Sequence, residues 1–310
     1  MSSFYNSAYN ETIKHHFGIE YDEAELVHER IFHVENTKRR YWDSKNWETP
    51  ARPQMRRPGE AHRPLPFAES FGMHATIVMY GAMDSVPVED MDDDPHGVLH
   101  QLLPAMGGGF AKSFRTNEEQ VGAEFFANNY ASGTGLNTYD GVSLFSTAHP
   151  MSLLNTGTTF SNRPSADGDI SISLADFYRT ALVTQYAANG NEFLDNAPRI
   201  YVCHPSQTRI ARQVWESDWE RGSANLNENI MKSYNVQVLE WPYLQKSGAT
   251  GTNNAGFVVG KYHKLYKVVR SKFKSDSDHD IQTNSMIVVA DSRFLMVAAD
   301  ARGTAGSVGS

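Results

Sequence analysis

The sequence has little cysteine and no long apolar run, which argues against a disulfide-stabilised protein and against a membrane-spanning one. Cys203 is the only cysteine among 310 residues, so no disulfide framework can form within one chain, and the fold suits a reducing cytoplasm. Nowhere do about 18 apolar residues follow one another, as a membrane-spanning helix requires. The N-terminus also lacks the apolar stretch of a signal peptide. We therefore expect no membrane segment.

The sequence also has fewer basic than acidic residues. The formal net charge is -8, which argues against general affinity for DNA or RNA, because binding the phosphate backbone needs a basic surface. Hydrophobic residues make up 40% and charged residues 21% of the chain, as in a globular protein with a core. The length allows one large domain or two ordinary ones.

The sequence contains no recognisable catalytic, phosphate-binding or metal-binding motif. Neither Ser143 nor Ser146 has the flanking glycines of a nucleophile elbow. The 12 histidines are scattered, without the spacings typical of zinc sites. No Gly-Lys-Ser/Thr follows the glycines at 107–109. We predict no catalytic residue, no cofactor-binding residue and no metal ligand, so the chain is not expected to be an enzyme.

The segment 36–66 is the most unusual part of the sequence. Five prolines keep it extended, and its Lys and Arg residues give a local net charge of about +5. Long structureless loops in compact domains are usually functional or partner-dependent. Stacking on nucleic acid is an alternative, but we favour contact with a second copy of the chain. The predicted contact residues are Trp42, Lys45, Trp47, Arg52, Arg56 and Arg57.

An acidic segment follows at residues 84–95, with six acids among twelve residues. It lacks the spaced pattern of a calcium loop, and aspartates before Pro95 favour the start of a helix. Because its charge is opposite to that of the 36–66 segment, we expect it to meet that segment of another copy. The predicted partner residues are Glu89, Asp90, Asp92, Asp93 and Asp94.

The rest of the chain predicts an α+β fold. Residues 71–83 alternate as in a strand, and the pattern from 95 to about 130 is helical with a break or kink near Pro104 and the glycines at 107–109. Helices and strands alternate over 166–284, where "AGFVVGKYHKLYKVVR" indicates a hairpin. The small polar residues of 304–310 predict a flexible tail.

The stretch "DGVSLFSTAHP" (residues 140–150) contains a Ser, a His and an Asp but no catalytic setting. Asp140-Gly141 is typical of a tight turn, and Val142, Leu144 and Phe145 predict a short strand. We interpret the stretch as structural, with a hydrogen-bonding His149.

This stretch, preceded by the helical "FAKSFRTNEEQVGAEFFANNY", resembles the major capsid proteins of tailed bacteriophages, which have the Hong Kong 97-type fold. The resemblance is closest to the branch of Mu-like major head subunits, in which D-G-x-x-L-F-x-x-x-H-P recurs. It extends through "PRIYVCHPSQTRIARQVWES" to "MIVVADSRFLMVAADAR" and covers about 80–310. The matching positions are Asp140, Gly141, Leu144, Phe145, His149 and Pro150.

The resemblance implies four structural units, which precede the tail at 304–310. They are an N-terminal arm (1–35), an extended two-stranded E-loop (36–80), a peripheral domain with a long spine helix (81–165 and 285–303) and an axial domain (166–284). It implies that the E-loop lies across an adjacent subunit, which would bury its tryptophans. Some relatives crosslink a Lys to an Asn; Lys45 lies in the loop, but no matching Asn context is present.

By resemblance, the function is that of a shell subunit. Copies form hexamers and pentamers that close into an icosahedral virion around double-stranded DNA, bound without sequence specificity, after assembly in the cytoplasm of the bacterial host. Separate scaffolding, portal and decoration proteins are the other implied partners. An encapsulin-like cellular nanocompartment remains an alternative, as does a cytoplasmic hydrolase that uses His149 or His204.

Overall fold

The computed structural model shows two four-stranded sheets, one long helix and a two-stranded ribbon. The structure describes residues 26–48, 50, 52–65, 67–93, 98–130, 138–153, 157–188, 190, 192–220, 227–244 and 254–309. Its α-helices are α1 (Val88–Asp92), α2 (Val98–Asn128), α3 (Ile172–Val183) and α4 (Pro205–Trp215). Its strands are β1 (His33–Asn36), β2 (Tyr41–Glu48), β3 (Ala68–Thr76), β4 (Val78–Pro87), β5 (His149–Pro150), β6 (Thr159–Phe160), β7 (Pro198–Cys203), β8 (Gln237–Glu240), β9 (Gly256–Gly260), β10 (Lys264–Asp280), β11 (Ser285–Asp300) and β12 (Thr304–Ser307).

The long helix α2 confirms the helical pattern in the sequence. Its 31 residues span about 46 Å at 1.5 Å per residue. The backbone stays helical through Pro104 and residues 107–109, so the helix has no break there, and the kink stays a prediction. In the C-terminal half, Phe125 and Phe126 are almost inaccessible and pack against Phe32. Aromatic burial therefore fixes this end of the helix in the main core.

The first sheet has the strand order β1-β10-β11-β4. Strands β10 and β11 form a long antiparallel hairpin, and β4 pairs antiparallel with β11. Strand β1 runs parallel to the first part of β10 and ends with Asn36 opposite Val269. Helix α2 covers one face of this sheet, where the rings of Phe114 and Phe273 meet edge to face at 4.7 Å.

The second sheet has the order β12-β9-β7-β8 and carries its own core. Tyr178 of α3 and Trp215 of α4 are buried there. Helix α3 begins at Ser171, whose hydroxyl accepts a hydrogen bond from the Leu174 amide at 3.2 Å, and α4 begins with Pro205, which pre-sets the first helical turn. These capping residues fix where each helix starts beside the sheet.

A buried cluster of charged residues holds the beginning of the described chain against α2. The His28 ring nitrogen Nδ1 lies 3.0 Å from Glu119 Oε1, and Lys267 Nζ donates to Glu118 Oε2 at 2.7 Å. Although burial opposes ionisation, hydrogen bonds from His28 hold the pKa of Glu119 below its ordinary value. Of the predicted arm 1–35, residues 1–25 lie outside the described part; Phe32 packs in the core of its own chain.

Strands β2 and β3 form an antiparallel ribbon, and residues 41–76 are called the ribbon below. Its register runs from Tyr41 opposite Thr76 to Glu48 opposite Ala68. The segment that joins the two strands contains the five prolines noted for residues 36–66. Among its described residues, none belongs to a helix or strand, in agreement with the restrictions that proline places on the backbone.

Two predicted boundaries differ from the observed strand pairing. Residues 264–280 were placed with the 166–284 unit, but as β10 they pair with β1 and β11 in the first sheet. Consequently β9 and β10 do not form the predicted hairpin, because β9 pairs with β7 and β12. Residues 78–80, assigned to the E-loop, begin β4. Near-continuous apolar runs such as Phe257–Gly260 do not tell which sheet a strand joins.

The prediction of a flexible tail at 304–310 is wrong for its first residues. Residues Thr304–Ser307 form β12, which pairs with β9 and is buried along its whole length. A Cβ atom added to Gly306 would lie 2.7 Å from the Phe145 ring, closer than van der Waals contact. The small residues that predicted flexibility are instead required for this close approach.

Candidate assembly surfaces

Trp42 of the ribbon does not lie where the sequence analysis placed it. Its side chain is only 6% exposed and belongs to the main core of its own chain. The indole Nε1 donates to Glu35 at 3.0 Å, and the ring centroid lies 5.5 Å from that of Tyr266. Trp42 is therefore an internal anchor, and its predicted role as a contact between subunits is wrong.

Trp47, in contrast, is 64% exposed. Beside it, Asn46 anchors the ribbon to the body: its Nδ2 donates to the Ala299 carbonyl at 2.9 Å, and Lys264 Nζ donates to its Oδ1 at 2.8 Å. Lys45 pairs with Glu69 across the ribbon at 2.8 Å in an exposed position, which raises the pKa of Lys45 through this hydrogen bond. The ribbon is thus fixed on one side and open on the other.

The segment that connects the two strands of the ribbon (residues 49–67), called its far part below, presents cationic and apolar side chains to solvent. Arg52, Arg56 and Arg57 are all exposed, and Met55 and Phe67 are 94% and 69% exposed. A turn shapes the region, since Arg56 Nη1 donates to the Glu60 carbonyl at 2.7 Å and the Arg57 amide donates to Glu60 Oε2. Exposed apolar residues rimmed by charge are typical of surfaces that contact other proteins.

Of the acidic residues, Glu89, Asp90 and Asp92 lie on α1, and Asp93 follows it as the C-terminal cap. Asp90, Asp92 and Asp93 are exposed, and Asp94 lies outside the described residues. The Asn284 amide donates to Glu89 Oε1 at 2.7 Å, which lowers the pKa of Glu89. Within the described part of the chain, no ion pair links these acids to the cations of the ribbon.

The stretch 140–150 is a buried hydrogen-bonded loop. Asp140 Oδ2 lies 2.8 Å from His149 Nδ1, and both side chains are fully buried. The other ring nitrogen, Nε2, lies 3.1 Å from the Leu144 carbonyl. Gly141 has the positive φ of 71° that the Asp-Gly turn requires, and Pro150 belongs to the short strand β5.

Residues 142–145, however, do not form the predicted strand. The Asn129 side chain accepts from the Leu144 amide, and the Asn162 side chain donates to the Leu144 carbonyl at 2.6 Å. Phe145 is fully buried and stacks on Tyr130 at 4.5 Å. Side-chain amides therefore satisfy the backbone that a sheet would otherwise pair. Sequence reasoning missed both asparagines, because no local pattern links them to the loop.

Neither histidine proposed for a hydrolase is placed for catalysis. Both nitrogens of His149 face oxygen acceptors inside the protein, so no position is left from which it could accept a proton from a nucleophile. His204 caps α4 through its ring nitrogen and the Ser206 amide. Burial raises the pKa of the nearby Cys203 thiol to about 11, which keeps it protonated and unreactive.

A groove of about 540 Å³ runs along the base of the ribbon. Trp47, Leu194 and Tyr262 contribute apolar surface to it, and His33 stacks on His263 with ring centroids 4.3 Å apart. Burial, together with the nearby His33 and Arg199, lowers the pKa of His263 to about 4. The imidazole of His263 is accordingly uncharged at neutral pH. Charged side chains also line the groove: Lys261, Lys264, Asp300 and Arg302.

No group of three or more His, Cys, Asp or Glu side chains within the described ranges could hold a metal ion. No helix within those ranges has the length and hydropathy needed to span a membrane.

Comparison with solved structures identifies the fold. No protein-family model and no curated protein matches the sequence. The mature capsid of bacteriophage PhiM1 matches at a TM-score of 0.55 and 10% identity, covering 91% of this chain and 86% of that one. The capsid of a native GTA particle matches at 0.54 and 16%, covering 91% and 89%. The capsid of bacteriophage JBD30, decorated with minor capsid protein trimers, matches at 0.52 and 17%, covering 71% and 91%. The chain therefore has the mixed α+β fold of phage capsid subunits.

Proposed function

We propose that this chain is the major capsid protein of a tailed bacteriophage, a structural subunit without enzymatic activity. Hexamers and pentamers of it would close into an icosahedral shell around the genome. The observation that supports this proposal most is the ribbon: Asn46 and Trp42 fix its base, while its far part, rich in arginine and apolar residues, finds no cover in the described body of its own chain.

The far part of the ribbon is the proposed E-loop contact. Arg52, Arg56 and Arg57 would meet the acids on and beside α1 of a neighbouring copy, because opposite charges steer and orient association. Trp47 and Met55 would supply apolar area. Obligate interfaces bury about 2,000–5,000 Å² and are largely hydrophobic. The exposed apolar residues of the ribbon are therefore expected to be buried on assembly.

The unit assignment follows the proposed fold family, closest to the Mu-like branch. The first sheet with α2 as spine helix would be the peripheral domain, now including β10, and the second sheet with α3 and α4 would be the axial domain, now including β12. Scaffolding, portal and decoration proteins would be separate partners. Packaged double-stranded DNA would be held without sequence-specific contacts, and assembly would take place in the cytoplasm of the bacterial host.

Assembly of the purified protein tests the proposal. Expressed alone or with its scaffolding partner, it should sediment as rings or closed particles, visible by negative-stain electron microscopy. Replacing Arg52, Arg56 and Arg57 together by Glu should abolish these particles while the subunit stays folded. Arg209→Glu, at an exposed position of α4, is the matched control and should assemble. A monomer that never assembles under either condition contradicts the proposal.

A further inference from the structure

A short turn (residues 37–40), called the basic turn below, joins β1 to β2. The side chains of Lys38, Arg39 and Arg40 in it are all exposed. Within the described part of the chain, none of these three cations forms an ion pair. The basic turn therefore carries three positive charges that the described residues of its own chain do not neutralise.

Hydrogen bonds at both ends hold the backbone of the basic turn in place. The Thr37 amide donates to the Val269 carbonyl at 2.9 Å, and the Ile77 amide donates to the Arg40 carbonyl at 3.0 Å. Within the turn, the Arg39 amide donates to the Thr37 hydroxyl at 3.2 Å. The cations are thus presented from a fixed backbone, which reduces the ordering that a ligand must impose when it binds.

The surroundings of the basic turn add to its positive charge. Arg270 of β10 is exposed and directly follows the residue that accepts the first of these hydrogen bonds. The acids that flank the turn along the chain have partners of their own, since Glu35 accepts from the Trp42 indole at 3.0 Å and Asp43 pairs with His74. Four cations are therefore left for a ligand from outside the chain.

Charge is separated along the first sheet. The basic turn lies where β1 ends, and the acids of α1 lie at the opposite end of β10 and β11. At that end Asp280 is opposite Ser285, and the Asn284 amide donates to Glu89 Oε1 at 2.7 Å. Strand β10 spans about 33 Å from Arg270 to Asp280. A polyanion would thus be attracted to one end of the sheet and repelled from the other.

We propose that the basic turn, together with Arg270, binds the phosphate backbone of packaged double-stranded DNA. Guanidinium and ammonium groups are the usual protein ligands of phosphate, and contacts to phosphate carry no sequence information. The turn itself contains no apolar residue, whereas Met55 and Phe67 are exposed beside the arginines of the far part of the ribbon. A cationic surface without apolar residues fits nucleic acid better than it fits another protein.

The inference rests on the proposed shell function and assigns the contact between shell and genome. Because the chain as a whole is acidic, its affinity for DNA is expected to be local and weak, in the non-specific range of about 10⁻⁴–10⁻⁶ M at physiological salt. Many copies in one shell would add up such weak contacts while each contact still releases easily.

DNA binding by the unassembled subunit tests the site, with a labelled duplex and fluorescence anisotropy as the readout. Replacing Lys38, Arg39 and Arg40 together by Glu should weaken binding about tenfold or more. The slope of log affinity against log salt concentration should fall by about 3, because three phosphate contacts are lost. Unchanged affinity and slope in this variant overturn the site.

The matched control exchanges the same number of charges in the far part of the ribbon. Replacing Arg52, Arg56 and Arg57 together by Glu should leave the salt slope as it is in the unmodified protein. Equal losses of DNA affinity in the two triple variants would mean that any exposed cation of the chain contributes alike, which overturns the basic turn as a site.

Arg270→Gln tests the site from a different strand and leaves the basic turn itself unchanged. It should lower the salt slope by about 1 without lowering the melting temperature, since Arg270 is exposed. An unchanged slope removes Arg270 from the site. This variant also gives a result if the triple exchange in the turn prevents folding.

Particle formation separates the site from the shell proposal. The triple variant of the basic turn should assemble like the unmodified protein. If it binds DNA normally but no longer assembles, the turn contacts protein and the inference is overturned, while the shell proposal stands. Failure of the unmodified protein to assemble would contradict the shell proposal, whatever the subunit binds.

Discussion

Trp42 and Trp47 lie in the same strand, five residues apart, and face opposite environments. The even-numbered residues of β2, from Trp42 to Glu48, turn towards the body of the chain, and the odd-numbered ones turn away from it. An odd separation places the two indoles on opposite faces. The comparison teaches that the two faces of one strand differ: the inner face packs on the body of its own chain, and the outer face is exposed.

Replacing Trp42 by Ala should have the largest effect on the subunit. Truncating a buried aromatic residue costs about 3–5 kcal/mol, and here it also leaves the Glu35 carboxylate without its indole donor. Urea denaturation of the unassembled subunit should show this loss in the free energy of unfolding. Trp42→Phe, which keeps most of the ring volume, should lose much less. Unchanged stability in Trp42→Ala would remove the distinction between the two faces.

Asp140→Ala tests another contact that is closed within the subunit. Removing the hydrogen-bond partner of a buried polar group costs about 1–3 kcal/mol, because the ring nitrogen of His149 stays buried without the Asp140 carboxylate. Differential scanning calorimetry should show a lower melting temperature. Asp176→Ala, at an exposed position of α3, is the control and should melt like the unmodified protein. Equal effects would mean that the buried loop does not stabilise the fold.

Lowering the pH should destabilise the folded chain through His263, which lines the groove at the base of the ribbon. Its folded-state pKa of about 4 lies below the ordinary histidine value, so between pH 6.5 and 4 the unfolded chain binds a proton that the folded chain does not. The free energy of unfolding should therefore fall with pH in this window, by at most about 1.4 kcal/mol per unit from this residue. His263→Gln should flatten the slope; an identical slope would contradict the assignment.

Trp47→Ala should have the smallest effect on stability and yet reduce assembly. Because the side chain is 64% exposed, its loss should change the free energy of unfolding by less than about 0.5 kcal/mol. Particle yield, measured by sedimentation, should fall because the outer face loses apolar area. Trp47→Phe should retain most of that yield. Normal assembly of Trp47→Ala would show that this indole is not part of the contact.

The sequence was informative where one local pattern decides the structure. The period of apolar residues predicted α2, and the prolines predicted the irregular far part of the ribbon. The alternation along β2 also contained the difference between Trp42 and Trp47. Treating both tryptophans alike as contact residues, without regard to the parity of their positions, led to the wrong expectation for Trp42.

Long-range contacts account for what sequence patterns missed. The loop at 140–150 replaces a sheet partner with the side chains of Asn129 and Asn162, which no short window contains. Strand β12 is made of small residues because Phe145 packs against Gly306, and from sequence alone small residues at the end of a chain are typical of flexibility. The outcome depended on a partner more than 100 residues away.

Strand β11 continues through Arg302 and Gly303 into β12, so a single stretch of backbone belongs to both sheets. The Arg302 guanidinium donates to the carbonyl oxygens of Tyr186 and Met151, and Gln185 accepts from the Gly303 amide. Because these hydrogen bonds hold the connection between β11 and β12 in place, it is expected to be rigid and not to act as a hinge. Force applied to one sheet, for example by pressure from inside a closed container, would be carried to the other along covalent bonds instead of by sliding of packed surfaces.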